Sequence, residues 1–365
     1  MQQTKGVLAL AVLVVSLGPL ALAEQPRFVN ANLETRPGVD LSVIFDAISR
    51  AETKPAWVGY SVPALPGRHL TCCGDPERSG WVHDCGRCRL ERQESFNATS
   101  DDGHSAKLEG NDSAAILIRV ENRRPEKVRV YSPDCELDAG DLRVYWLNGV
   151  KPDESVALLA SFVKAPRHGG YEAESDGRLG DDALAAIAFH AGSAADHQLE
   201  SFASTGNGEE LREHAAFWLG SERGRFGYEV LNRLVHNDSS EKFREKVIFA
   251  LYVSKEPQAV DAVIGVARQD ESPRVRGQAL FWLAQKASHK AASAITEAIE
   301  NDPETEVKKK AVFALSQLPK DDGVPKLIAV ARNNRNPEVR KQAMFCLGQS
   351  NDPRALEFFA QVLSH

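Results

Sequence analysis

The spacing of hydrophobic positions changes near the middle of the chain. From about residue 211 onward, apolar and polar positions recur in a block of 32 residues. Leu219, Leu251, Leu283, Leu315 and Leu347 mark its phase, and Phe217, Phe249, Phe281, Phe313 and Phe345 stand two positions before them. Four positions before each Leu is a small or branched residue: Ala215, Val247, Ala279, Ala311 and Ala343. Seven before is always a base: Arg212, Arg244, Arg276, Lys308 and Arg340. Four columns in phase over five copies exceed what composition produces, and a fixed period of this length is the signature of a repeat architecture. Each block predicts two helices. The first places Val275, Ala279, Leu280, Phe281 and Leu283 of the third copy on positions that include one 3.6-residue face. The second is marked by apolar residues 12 and 15 after the Leu: Leu231/Leu234, Val263/Val266, Ile295/Ala298, Leu327/Val330 and Phe359/Val362. Eight after the Leu stands Gly or Ala in every copy, small enough for the two helices to approach closely. Asn237-Asp238-Ser239, Asp270-Glu271-Ser272-Pro273, Asn301-Asp302-Pro303 and Asn336-Pro337 supply turns and helix starts between copies. On this pattern the all-Phe column, Phe281 included, is expected in the core.

The 32-residue pattern is absent before residue 181. Leu41, Ile44, Phe45 and Ile48 share one side of a helix predicted over Val39 to Ala51. Ala56–Val62, Ala114–Val120, Lys127–Tyr131 and Leu142–Leu147 read as strands by β-branched and aromatic content. Asn148-Gly149 is a two-residue hairpin signal, and Asp153–Lys164 predicts a short helix. The pattern predicts a multidomain chain. A cysteine-containing α+β domain spans 24–165, a linker 166–180, and an α-solenoid 181–365. The solenoid holds five clear repeats and a degenerate leading one, with Ala183, Leu184 and Ile187 in phase but Gly180 where the base belongs.

The strings PRVRGQALFWLA, TEVKKKAVFALS and PEVRKQAMFCLG resemble HEAT repeats, most closely the short bacterial type first named for phycobiliprotein lyases. The resemblance implies a curved stack of helix pairs that bury a continuous core only together. It implies a bacterial source and leaves function open, because such arrays scaffold many unrelated activities. No family is recognised in the first domain.

Charge and the N-terminus narrow the setting. The chain of 365 residues carries a formal net charge of -7, which argues against phosphate neutralisation as a binding principle. Lys5, the uncharged run Val7–Leu22 and the small-residue site Ala21-Leu22-Ala23 predict a cleaved secretory signal over 1–23. The competing reading is a membrane anchor, opposed by Gly18 and Pro19 within the run. Export to a periplasmic or extracellular compartment is therefore expected, without a transmembrane segment after cleavage.

Cysteines and histidines are the candidate chemistry. Cys72, Cys73, Cys85, Cys88 and Cys135 are candidates for disulfides in an oxidising compartment, and five cysteines allow at most two bridges. Zinc held by four thiolates and a redox role for Cys85-Gly86-Arg87-Cys88 are the alternatives. Cys346 occupies a repeat column otherwise held by Trp or Ala, which predicts a buried free thiol. His190 and His197 have no acid motif between them, and His214 and His236 fall on helix surfaces. No catalytic, nucleotide-binding or cofactor motif is present, so no cofactor is expected. Sequons at Asn97, Asn111 and Asn237 are discounted because the repeat type is bacterial.

The expected function is a non-enzymatic scaffold for a protein or peptide, with no nucleic acid. The alternative is an enzyme or lyase accessory protein whose chemistry lies in the cysteine-rich domain. By resemblance, the second helices line the concave face. Positions 10, 14 and 17 after each Leu should then face a groove. They yield Glu229, Arg233, His236, Asp261, Arg268, Glu297, Glu300, Arg332, Glu357 and Gln361 as partner-binding candidates, polar and mixed in sign. The competing reading is a set of merely solvated helix faces. For the basic column, pairing within the stack is preferred to a ladder for a polyanion.

Overall fold

The computed structural model describes residues 25–66, 88–91, 112–164, 173–286 and 289–364. The expected signal segment, Cys72, Cys73, Cys85, the sequons at Asn97 and Asn111 and the first part of the expected linker lie outside them. Strand β1 (Arg27–Pro37) leads to α1 (Leu41–Ala51), β2 (Ala56–Pro63), the short β3 (Cys88–Arg89), β4 (Ser113–Glu121), β5 (Arg124–Tyr131) and β6 (Glu136–Asn148). The strands form one mixed sheet in the order β1-β6-β2-β4-β5, with β3 also paired to β6. β6 runs parallel to both β1 and β2, whereas β2–β4 and β4–β5 are antiparallel.

β2 and β4 are buried on both faces, which suits their unbroken apolar runs. Alternation divides their side chains between two cores. Val58, Tyr60, Ile116 and Ile118 face the larger one. Trp57, Leu117, Val144 and Trp146 face a smaller one that also holds Cys88, Leu90 and Cys135.

The hairpin expected at Asn148-Gly149 does not form there. The chain leaves β6 and enters α2 (Pro152–Val163), with Pro152 in the first helical turn and Gly149 at φ +74°. A proline-started amphipathic helix leaves no returning strand for a hairpin. The hairpin lies instead between β4 and β5, where Asn122 and Arg123 both take positive φ (51° and 66°), as a two-residue type I′ turn requires.

The expected linker is a correction as well. Helix α3 (Ala173–Phe189) starts inside 166–180 and packs on α2 and β5. It pairs with α4 (Ser193–Ala203) as the degenerate leading repeat. Five further pairs follow: α5 (Glu209–Glu222) with α6 (Gly224–Asn237), α7 (Glu241–Val253) with α8 (Gln258–Gln269), and α9 (Pro273–Lys286) with α10 (His289–Asn301). The last two are α11 (Thr305–Ser316) with α12 (Lys320–Asn333), and α13 (Pro337–Gln349) with α14 (Pro353–Leu363). The small-residue column does what its size permits. A Cβ added to Gly227 would lie 1.9 Å from the Leu219 carbonyl oxygen, so α5 and α6 meet backbone to backbone.

The Leu column is buried throughout, at no more than 1% exposure, but the Phe column is not. Phe281 is half-buried, and Phe313 and Phe345 are 46% and 61% exposed. Two residues before the Leu is about 200° around the helix, which points away from the seam that buries the Leu.

One apolar core runs without interruption from the inner face of the sheet through α1, α2 and α3 into the repeats. The sheet and the solenoid are therefore packed together, and the boundary expected at 165 does not divide two cores.

Candidate functional site

The basic column is structural. Arg244 reaches forward to the loop before the next repeat and grips Asp270 with two hydrogen bonds of 2.9 Å. Arg276 does the same to Asp302 at 2.8 and 3.0 Å, and Arg212 pairs with Asp238. Each arginine also donates backward, Arg244 to the Asp238 carbonyl and Arg276 to the Asp270 carbonyl. The aspartates in turn accept from the backbone N–H two residues on, which shapes the turn. Where the base is Lys308, the residue 26 positions on is Asn334, and the lysine bonds the Glu300 carbonyl instead. Base and acid weaken together, as expected of partners. With side chains at most 8% exposed in these three pairs, no ladder is left for a polyanion. The pairing expected within the stack thus falls on the turn-forming aspartates, whose constant spacing of 26 from the bases is the sequence signal that identifies them.

The second-helix candidates share one side of α6, α8, α10, α12 and α14, and Glu229, Arg233, His236, Asp261, Arg268, Glu297, Glu300, Arg332, Glu357 and Gln361 are all exposed. Several pair with the next repeat. Arg268 donates to Glu297 at 2.6 Å, Lys290 to Asp261 at 2.9 Å, and Arg332 to Gln361 at 2.5 Å. Arg233 pairs with Glu200, and Gln361 also donates to Glu357. The face is thus a row of charges that largely satisfy one another. Each exposed pair contributes about 1 kcal/mol or less, so a partner could exchange them at small cost.

Among the described cysteines, Cys346 is free and buried, as its column predicted. Burial pushes its thiol above the ordinary range, against hydrogen bonds from Ser316 and Gln342. Cys88 and Cys135 are both disulfide-bonded and sit in the smaller core, beside the β3–β6 pairing. Among the described residues no group of three or more His, Cys, Asp or Glu side chains is arranged to hold a metal.

One polar cluster escaped the sequence. Ser155 of α2, Tyr60 of β2 and His190 after α3 meet with all three residues fully buried. His190 Nδ1 lies 2.8 Å from the Ala186 carbonyl, which can only accept, so Nδ1 carries the proton. Nε2 of the neutral ring then accepts from Ser155 Oγ at 2.8 Å, and the Tyr60 hydroxyl donates to Ser155 at 2.9 Å. Ser155 and His190 have nucleophile–base spacing, but both residues are fully buried, and the pair joins α2 to the end of α3. Its neighbours continue the joint. Ala191 N donates to the Pro63 carbonyl, and Arg223 donates to the carbonyls of Ala188, His190 and Gly192 and to Asp196. Residues 35 and 95 apart in sequence meet here, and no local motif announces them.

The molecule is thus a helical-repeat solenoid carrying a mixed sheet at its N-terminal end. Residues 228–316 and 292–365 match the family model for HEAT repeats, and the C-terminal half is a HEAT-repeat array. No curated protein matches the sequence. Among solved structures, the complex of CpcE and CpcF of phycocyanin lyase from Nostoc sp. PCC7120 is similar at 22% identity, over 42% of this chain and 99% of that one, with a TM-score of 0.32. Human deoxyhypusine hydroxylase is similar at 15% identity over 57% and 90% of the two chains, with a TM-score of 0.25. Kap121p is similar at 14% identity over 54% and 25%, with a TM-score of 0.35. At these identities and scores the similarities carry no argument about activity.

Proposed function

We propose that the protein is an exported, non-enzymatic scaffold whose second-helix face holds a protein or peptide partner. The observation that carries this reading is the alignment of ten exposed polar candidates on one side of five successive repeats. A face built of weak, exchangeable ion pairs suits a partner that replaces them one for one. The charges are mixed in sign and form no aromatic row for stacking bases, which favours protein over nucleic acid.

Export rests on the sequence pattern of residues 1–23 and fits a first domain braced by bridges among Cys72, Cys73, Cys85, Cys88 and Cys135. Mass spectrometry of the protein recovered from its native compartment should find it cleaved after residue 23. It should be lighter than its reduced form by about 4 mass units, two hydrogens for each of two bridges. Stoichiometric zinc with free thiols would instead support the alternative, chemistry in the cysteine-rich segment.

The groove itself is tested by Arg268→Glu combined with Arg332→Glu. Capture of the specific envelope partner should be lost in the double variant while the fold is retained. A partner kept by the folded double variant would place recognition on a surface other than the second-helix face.

A further inference from the structure

Successive repeats meet along their first helices, and the same cleft recurs at each junction. Between the first and second full repeats it is closed by backbone contact: a Cβ on Gly220 would lie 2.1 Å from the Ala250 carbonyl oxygen. Between the second and third it is filled by side chains. Tyr252 enters from the earlier repeat and Trp282 from the later one, with ring centroids 4.7 Å apart. The Lys286 ammonium caps the Tyr252 ring at 4.9 Å. What remains is a cavity of about 10 Å³, room for about one water.

Two repeats further on, the residues equivalent to Tyr252, Trp282 and Lys286 are Ser316, Cys346 and Ser350. Three large side chains are replaced by small ones, and the helices do not close over the gap. A cavity of about 240 Å³ opens between α11, α12 and α13. Phe313 and Phe345 stand exposed on its rim, an arrangement that costs free energy unless something covers them. Lys320 is the charged side chain along its lining among the described residues.

We propose that this cleft is a docking site for one aromatic side chain, Trp or Tyr, of a partner protein, presented next to an acidic residue. The molecule's own second–third junction shows which groups fill this space: a phenol and an indole beside an ammonium. The volume lies below the roughly 300–1,000 Å³ of sites for whole small ligands and suits a single side chain. Lys320 supplies the complement for a neighbouring carboxylate, and the Ser316 and Ser350 hydroxyls line the wall toward an indole N–H or a phenol. The inference rests on the HEAT stacking and stands apart from the second-helix groove.

The free thiol of Cys346 lines the cavity and reports on its occupancy. In the full-length native protein, N-acetyl-Glu-Trp-Glu-amide at millimolar concentration should slow labelling of Cys346 by a thiol reagent at least fivefold, saturably. The matching Glu-Ala-Glu peptide should not. Lys320→Glu should weaken the protection at least threefold, whereas the Arg268→Glu, Arg332→Glu double variant should leave it unchanged. Ser350→Tyr, which refills the cleft from within, should abolish it. Phe345→Ala, an exposed change that leaves the core intact, should weaken it if the filled variant folds poorly. Equal protection by the Trp and Ala peptides, or protection undiminished in both Ser350→Tyr and Phe345→Ala, would overturn the proposal.

Discussion

His190 shows how a single residue can tie two parts of a fold together. Burial among α2, β2 and the end of α3 pushes its pKa from the usual 6.5 down to about 4. The Ala186 carbonyl opposes that fall, and the Arg223 guanidinium adds to it. In the unfolded chain the ring takes up a proton near pH 6.5; in the folded protein it stays neutral to about pH 4. Between these values the unfolded state binds more protons, so stability falls as pH drops through this window and is unaffected by this group above it. The loss approaches 3 kcal/mol, from about 1.36 kcal/mol per pH unit. Urea unfolding measured from pH 7 to 4.5 should show this slope in the wild type, and His190→Gln should flatten it. Equal slopes in the two proteins would show that His190 is not held neutral. The sequence placed His190 among scattered histidines, because its partners come from α2 and β2, far away along the chain.

The element scale is where periodicity was informative and where it misled. Repeat period, helix pairs, small-residue contacts and the Leu column were all legible, because each repeat solves the same packing problem with the same positions. The Phe column was equally regular, yet regularity does not imply burial. Leu283 is 1% exposed, whereas Phe281 lies half-buried with its ring 5.0 Å from that of Trp282. Leu283→Ala should therefore cost about 2–5 kcal/mol, the range for a fully buried leucine. Phe281→Ala should cost clearly less despite removing more atoms. Denaturant midpoints of the two variants at matched m-values decide between these orders. The in-phase aromatics form a surface row, with Phe217 stacked on Phe249 at 6.2 Å and Phe249 against Trp282 at 4.9 Å. The sheet was less legible. β1 carried no signal, since only one of its edges is paired and both its faces are largely wet. The Asn122-Arg123 turn lacks the glycine that usually announces a hairpin.

At the scale of the molecule, the sheet domain and the solenoid join at α2 and α3 and share one apolar core. Composition and the end of the 32-residue pattern pointed to a boundary near 165, and that inference compared sequence styles rather than surfaces. The inner face of the sheet presents Val58, Tyr60, Ile116 and Ile118, which must be covered. α1 and α2 cover part of that face, and α3, the first helix of the degenerate repeat, covers β5 beside it. This explains why that repeat departs from consensus: its helix serves the sheet on one side and α5 on the other. Solenoid stability is a chain of nearest-neighbour terms, so the sheet acts as the neighbour that the first repeat would otherwise lack. Leu159 of α2, fully buried in the shared core, tests this coupling. Leu159→Ala should reduce hydrogen-exchange protection in β2 and β4 and, by a similar free energy, in α3 and α4. The last repeats, α11 to α14, should keep theirs, since several interfaces separate them from the change. If protection fell in the strands alone while α3 and α4 were untouched, the sheet and the solenoid would be separate cooperative units. Residues 24–165 expressed alone would then fold, whereas shared packing predicts that their bare inner face drives them to aggregate.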